Sequence, residues 1–179
     1  EAGGQQMPLS LFNAALMVFY AANSNTPPHA FLTQGAARLL RSFGSEALQN
    51  RFVPHMYAGV WQGTMALTEP QAGSSLSDII STAKPQAGGY YLIKGQKIFI
   101  SGGDHNAVDN VVHLMLARIE GAPPGAKGIS LFAVPKWRDE NGTLVPNDVS
   151  TAGIYGKMGQ KGYVAAHLQI GESDNCRGW

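Results

Sequence analysis

Up to about residue 58, large apolar residues recur every three or four positions; beyond Gly59 they alternate. Leu9, Phe12, Leu16, Phe19 and Tyr20 form a helical stripe from Leu9 to Ala22, with Pro8 where a first turn tolerates it. Asn23-Ser24-Asn25-Thr26-Pro27-Pro28 breaks that pattern. A second helix is predicted from about His29 to Phe43, stopped by Gly44. Ser45 is an N-cap for a third through Met56 or Tyr57, in which Pro54 is expected to introduce a kink. All three apolar stripes are expected to serve as core rather than as a ligand pocket.

The alternating region predicts strands at Val60–Leu67, Asp78–Lys84, Tyr90–Ile93, Lys97–Ser101, Asn110–Arg118, Gly128–Pro135 and Val164–Ile170. Ala87-Gly88-Gly89, Pro123-Pro124-Gly125 and Asn141-Gly142 are turn signals between them. The polar segment Asp139–Thr151 reads as an excursion between strands. Short strands of this number suggest an antiparallel sandwich or barrel. The predicted architecture is α+β, with helical residues 1–58 followed by a β domain over 59–179.

Composition changes this picture little. With 44% hydrophobic residues, the 179-residue chain can bury a core, and 22 Gly and 10 Pro suit many turns. A net charge of +1 argues against nucleic acid or an anionic membrane as partner. No run of eighteen apolar residues predicts a membrane span. The single cysteine, Cys176, excludes an intrachain disulfide and makes a reducing, cytoplasmic compartment the default. Residue 1 is Glu, and Asp174–Trp179 reads as a loop with no closing element, so the chain is expected to be a piece of a longer protein.

Two stretches carry candidate chemistry. In Gly63–Ser75 a strand ends at Thr68-Glu69-Pro70 and passes into Gln71-Ala72-Gly73-Ser74-Ser75, with small residues, backbone donors and hydroxyls that can approach a flat polar ligand. In Gly95–Gly103 a strand places Phe99 and Ser101 two positions apart, hence on one face. The strand thus carries one aromatic and then a hydroxyl on the same face, and the pair Gly102-Gly103 follows. A strand-filling role for Phe99 in a β core is the competing reading. The five histidines show no local pair at metal-ligand spacing, so no metal site is expected. Cys176 has no motif around it, the Gly pairs at Gly88 and Gly102 are not a dinucleotide fingerprint, and Arg38, Arg41 and Arg51 read as solvated helix faces.

Together these stretches resemble the flavin-binding middle domain of the acyl-CoA dehydrogenase family, with its aromatic-x-x-Thr-Glu-Pro-x-Ala-Gly-Ser strand-loop and its Trp-Ile-Thr-Asn-Gly strand. Gly128–Pro135 and Gly156–Gly162 are similar to further family segments. Ile100-Ser101-Gly102-Gly103-Asp104-His105 looks most like the branch that includes methylmercaptopropionyl-CoA dehydrogenase. The resemblance implies an antiparallel β-barrel-like domain of the middle-domain type, with FAD as cofactor. It assigns Met65, Leu67, Thr68, Phe99, Ile100 and Ser101 to cofactor binding and Ser74 to substrate binding. Phe99 stands where the family has Trp, Ser101 where it has Thr, and Gly102 where it has Asn. The implied reaction oxidises an acyl-CoA to the trans-2-enoyl-CoA, a Glu carboxylate taking the α-proton and the β-hydrogen passing to flavin N5. That Glu belongs to a C-terminal helical domain absent from this chain, so no catalytic residue is assigned here and the fragment is expected to be inactive alone. Glu69 reads as structural. Relatives imply an electron-transferring flavoprotein as acceptor and a homo-oligomer. An acyl-CoA oxidase or flavin monooxygenase on the same fold, and a non-catalytic β module used in assembly, are the alternative readings.

Overall fold

The computed structural model describes residues 3–179. Three helices, α1 (Leu9–Ala22), α2 (Pro27–Phe43) and α3 (Glu46–Tyr57), precede the strands. Ser45 caps α3, its hydroxyl accepting the Leu48 N–H at 3.4 Å. Pro54 sits within α3, which runs through it to Tyr57. Gly44 ends α2 by close approach rather than by a left-handed cap: its φ is −73°, and a Cβ there would stand 2.6 Å from the Leu40 carbonyl oxygen.

The strands are β1 (Trp61–Ala66), β2 (Thr82–Pro85), β3 (Tyr91–Ser101), β4 (Asn110–Ile119), β5 (Ile129–Pro135), β6 (Trp137–Glu140), β7 (Thr143–Pro146), β8 (Val149–Ile154), β9 (Ala165–Ile170) and β10 (Arg177–Gly178). They form a curled sheet in the order β1-β4-β2-β3-β9-β8, with β5 on the far edge of β4 and β10 on β3. The sheet is mixed, not antiparallel throughout. β1 pairs in parallel with Asn110–Met115 of β4, and β2 pairs in parallel with Arg118 and Ile119 of the same strand. These two strands therefore follow one another along one edge of β4, and the segment between them leaves the sheet and returns.

Several elements differ from the alternation. The strand expected at Asp78 begins only at Thr82, because the Ile80 and Ser81 N–H groups are taken by the Glu69 carboxylate at 2.9 and 3.2 Å. The two strands expected on either side of Gly95 are one. Gly95 crosses tight against Ser81, where a Cβ would collide with the Ser81 side chain, so only glycine continues the strand there. The polar segment from Asp139 holds the β6–β7 hairpin and the start of β8. Asn141 and Gly142, with φ of 56° and 84°, make its tight turn. The C-terminus is not a loop: β10 pairs with β3, and Trp179 exchanges backbone hydrogen bonds with Ala133 at 2.7 and 3.1 Å.

Two apolar clusters organise the chain. Ile93, Ile100, Met115, Phe132, Val134, Leu168, Ile170 and Cys176 fill the curl of the sheet. Leu40, Phe52, Val53, Met56, Trp61, Val112 and Leu114 join α2 and α3 to its outer face. The stripe of α1 does not join them. None of its residues is buried, and Leu9, Met17, Val18 and Phe19 are solvent-exposed. Arg51 is more than a solvated charge, since its guanidinium lies 4.3 Å from the centre of the Trp179 ring.

Gly63 fixes how closely α2 approaches β1. Its N–H donates to the Thr33 hydroxyl at 3.2 Å, and a Cβ on Gly63 would collide with Ala36. Gly63→Ala is expected to destabilise the fold by about 1–3 kcal/mol through overpacking, read as a shift in the denaturant midpoint at unchanged slope.

Candidate functional site

The bend after β1 is closed on itself. Glu69 and Ala72 exchange backbone hydrogen bonds of 2.8 and 3.1 Å around Pro70 and Gln71. The Glu69 side chain turns inward and meets Lys97 of β3 at 2.8 Å, with side-chain exposures of 1% and 0%. The Lys97 ammonium also donates to the Leu67 carbonyl at 3.0 Å, and the Ile98 N–H donates to the Thr68 carbonyl at 2.9 Å. Gln71 completes the carboxylate's shell at 2.7 Å. Burial by itself pushes the Glu69 carboxyl up, but hydrogen bonds from Lys97, Ser81 and the Ile80 N–H outweigh it and hold the group below its usual range. Burial pulls the Lys97 ammonium down from its ordinary value against the opposing pull of Glu69. Glu69 thus welds the first candidate stretch to the second.

Just beyond Lys97 the register of β3 shifts. Lys97 pairs with Leu168 and Ile100 with Ala166, so the β3 side carries one extra residue, a bulge. Phe99 sits in it with φ of 58°, a left-handed conformation that costs a non-glycine residue on the order of 1–2 kcal/mol. Uninterrupted alternation would have put Phe99 and Ser101 on the buried face with Lys97. The bulge turns them over. Ile100 enters the core, while Phe99, 56% exposed, and Ser101 lie on the solvent side. The core-filling reading of Phe99 is excluded by that exposure. Tyr155, just past β8, packs against Phe99 with ring centres 4.3 Å apart, and its own ring stacks towards His167 at 6.3 Å. Tyr155 was invisible in the sequence because nothing local to it marks a partner 56 residues away.

The arrangement is an open aromatic shelf with a hydroxyl at its edge and a strand end fastened beside it, which suits one face of a flat heteroaromatic ring. Of the residues singled out in the sequence, Leu67, Thr68, Phe99 and Ser101 are brought together by the Lys97 and Ile98 contacts. Met65 packs towards the helical cluster, and the Ile100 side chain is buried in the sheet core, which leaves that residue only its backbone to offer a ligand. Ser74 lies exposed in the loop beyond the bend.

A polar cluster that sequence spacing did not reveal adjoins the end of β3. His29 of α2 and His105 lie 4.7 Å apart, both hydrogen-bonded to the Gln62 amide of β1. Asp104 is paired with Lys136 and accepts the Thr151 hydroxyl at 2.7 Å. His113, fully buried against the Thr64 hydroxyl at 2.7 Å, is pushed down to about 4 by burial and is neutral at pH 7. No group of three or more potential metal ligands occurs among the described residues. Cys176 is buried, which pushes its thiol up and leaves it unreactive.

Residues 64–172 match the family model described as acyl-CoA dehydrogenase, middle domain. A butyryl-CoA dehydrogenase of Syntrophomonas wolfei is 47% identical over 151 residues, covering 83% of this chain and 25% of that protein. The 3-methylmercaptopropionyl-CoA dehydrogenase of Ruegeria pomeroyi is 39% identical over 181 residues, covering 100% of this chain and 30% of that protein. A solved acyl-CoA dehydrogenase of Bacillus anthracis, complexed with FAD, superposes with a TM-score of 0.58 at 27% identity over 75% of this chain and 20% of its own. The chain spans about a quarter to a third of the length of the curated relatives it matches.

Lys97→Met leaves the Glu69 carboxylate buried without its cation and is expected to cost about 3–5 kcal/mol, much of it recovered in Glu69→Gln/Lys97→Met, as read by urea unfolding. Because the folded Glu69 pKa is depressed, its contribution is present above the ordinary carboxylate range and disappears as pH falls through the folded value. Acid titration of the wild type should therefore show a steeper stability loss below pH of about 4.5 than Glu69→Gln, which keeps the loss owed to Asp104, a carboxyl that burial pushes up but Lys136 and Thr151 hold below its ordinary value.

Proposed function

The chain belongs to the acyl-CoA dehydrogenase family, and from that premise we propose that it carries the flavin- and substrate-facing portion of an FAD-dependent acyl-CoA dehydrogenase. The single observation that supports this reading is the Phe99 bulge. Backbone strain is retained to hold an aromatic ring outside the core, beside the Ser101 hydroxyl and the fastened Leu67–Thr68 strand end. A strained, exposed aromatic makes no sense as packing and good sense as a ligand floor.

In this reading residues 1–58 are part of an N-terminal helical domain and residues 59–179 are the middle β domain. Phe99 would provide the floor for the isoalloxazine of FAD, and Tyr155 would widen a floor that Phe alone covers less completely than Trp. Ser101 would serve the ring edge, because its hydroxyl can both donate and accept. Backbone groups of Met65, Leu67, Thr68 and Ile100 orient the ring, and Ser74 contacts the thioester arm of an acyl-CoA. Bound FAD supplies the hydride acceptor, and the protein orients and shields it. The carboxylate that takes the α-proton is placed outside this chain. Glu69 is committed to Lys97 and Asp104 to Lys136, so neither is available as that base. The electron acceptor is an electron-transferring flavoprotein, the assembly a homo-oligomer and the compartment the cytoplasm. No helix among the described residues is long and apolar enough to cross a membrane.

The full-length protein should be yellow as purified. Phe99→Ala and Ser101→Ala should each weaken FAD binding by roughly three- to tenfold in a fluorescence titration, without unfolding the domain. A colourless preparation that takes up no FAD would leave the non-catalytic module standing, and rapid reoxidation by air would favour an oxidase. The 179-residue chain alone should show no acyl-CoA dehydrogenation above a Phe99→Ala/Ser101→Ala control.

A further inference from the structure

The two peptides that flank Gly102, just after Ser101, are each gripped. Gly102 turns at φ of 61°, its N–H donating to the Val164 carbonyl at 2.7 Å and its carbonyl accepting from Gln62 Nε2 at 3.1 Å. A Cβ on Gly102 would collide with that same Gln62 nitrogen and lie 3.2 Å from the Tyr163 ring. The space a side chain at Gly102 would occupy is therefore filled by an amide reaching in from β1. This is the position where the family motif carries Asn.

The Gln62 amide is itself fixed. Only its NH2 can face the Gly102 carbonyl, so Oε1 is turned towards His29 Nδ1, at 2.6 Å, and His105 Nε2. An oxygen there accepts from both rings, so both nitrogens carry protons. His105 Nδ1 accepts the Ala107 N–H at 3.2 Å, which demands the same tautomer independently. The Tyr163 ring also packs edge-on with His29, ring centres 4.5 Å apart. Reversing the amide would set an NH2 against the His105 Nε2–H and an oxygen against the Gly102 carbonyl. Gln62 is 3% exposed, so none of these bonds can be exchanged for water without opening the junction between α2 and β1.

We propose that Gln62, locked by the His29 and His105 rings, is the positioning residue for Ser101: it holds the Gly102–Gly103 peptide while the Val164 carbonyl holds the Ser101–Gly102 peptide, and the turn fixed between them sets the direction of the hydroxyl towards the flavin. This rests on the flavin reading above. Gln62 touches neither cofactor nor substrate in this role; it acts through the Gly102 carbonyl.

The test uses the full-length protein. Gln62→Glu keeps an acceptor for both histidines but has no donor for the Gly102 carbonyl. It should fold, weaken FAD binding roughly three- to tenfold, and shift the flavin visible spectrum and reduction potential. In a Ser101→Ala background the same change should have almost no effect on FAD affinity or potential, because the group it positions is gone. Should Gln62→Glu not fold, His105→Gln, which removes one of the two locks, takes its place in the same cycle. Equal losses in both backgrounds would overturn the proposal, as would an unchanged affinity, spectrum and potential. A wild type that takes up no FAD would overturn the flavin reading itself, and is told apart because it is seen before any substitution is made.

Discussion

A carboxylate and an ammonium buried together with almost no exposure are costly to take out of water, and hydrophobic residues of the same volume would often serve stability as well. What the Glu69–Lys97 pair supplies is geometry. Its carboxylate gathers the N–H groups of Ile80 and Ser81, the Gln71 amide and the Lys97 ammonium, and the ammonium reaches on to the Leu67 carbonyl. One charge pair thus fixes the exit from β1, the entry to β2 and the middle of β3. Apolar contact has no direction and could not set three backbone segments against one another so narrowly. Because Lys97 must point inward to meet Glu69, the facing of every later residue on β3 is measured from it.

From that constraint the bulge follows. With Lys97 inside, an unbroken strand would bury Phe99 and Ser101 and expose Ile100. One extra residue reverses the parity, returns an aliphatic side chain to the core and presents a ring and a hydroxyl to solvent. The left-handed backbone at Phe99 is retained because the neighbouring ladder and the core position of Ile100 over-determine it. Beyond Ser101 the chain is held again, by Gly102 against Val164 and Gln62 and by Asp104 against Lys136 and Thr151. The short exposed segment is anchored at both ends, and precise placement of a ligand-facing group requires that kind of support.

The helices contribute to the same end. α2 lies close on β1 through Gly63, and it carries His29 to the Gln62 amide. Its position therefore bears on the end of β3, although no residue of α2 belongs to the aromatic shelf. α1 shares none of this packing, and its apolar face remains on the surface of the described chain.

Periodicity alone determined the three helices to within a residue or two, the Ser45 cap, most of the strands and the Asn141-Gly142 turn, because each rests on interactions between near neighbours. The motif pair Thr68-Glu69-Pro70 and Phe99-x-Ser101 was legible for the same reason: spacing along a strand is a local property. The tertiary structure decided what depends on residues far apart in sequence. It made the sheet mixed, merged two strands across Gly95, withheld the Ile80 and Ser81 N–H groups from the ladder, and left the α1 stripe unburied among the described residues. It also chose the face on which Phe99 and Ser101 stand, since an inserted residue in one strand is defined only against its neighbour. Tyr155 beside Phe99, and His29 beside His105, come together through sheet pairing and helix docking, and no local pattern in either segment encodes a partner it meets only after folding.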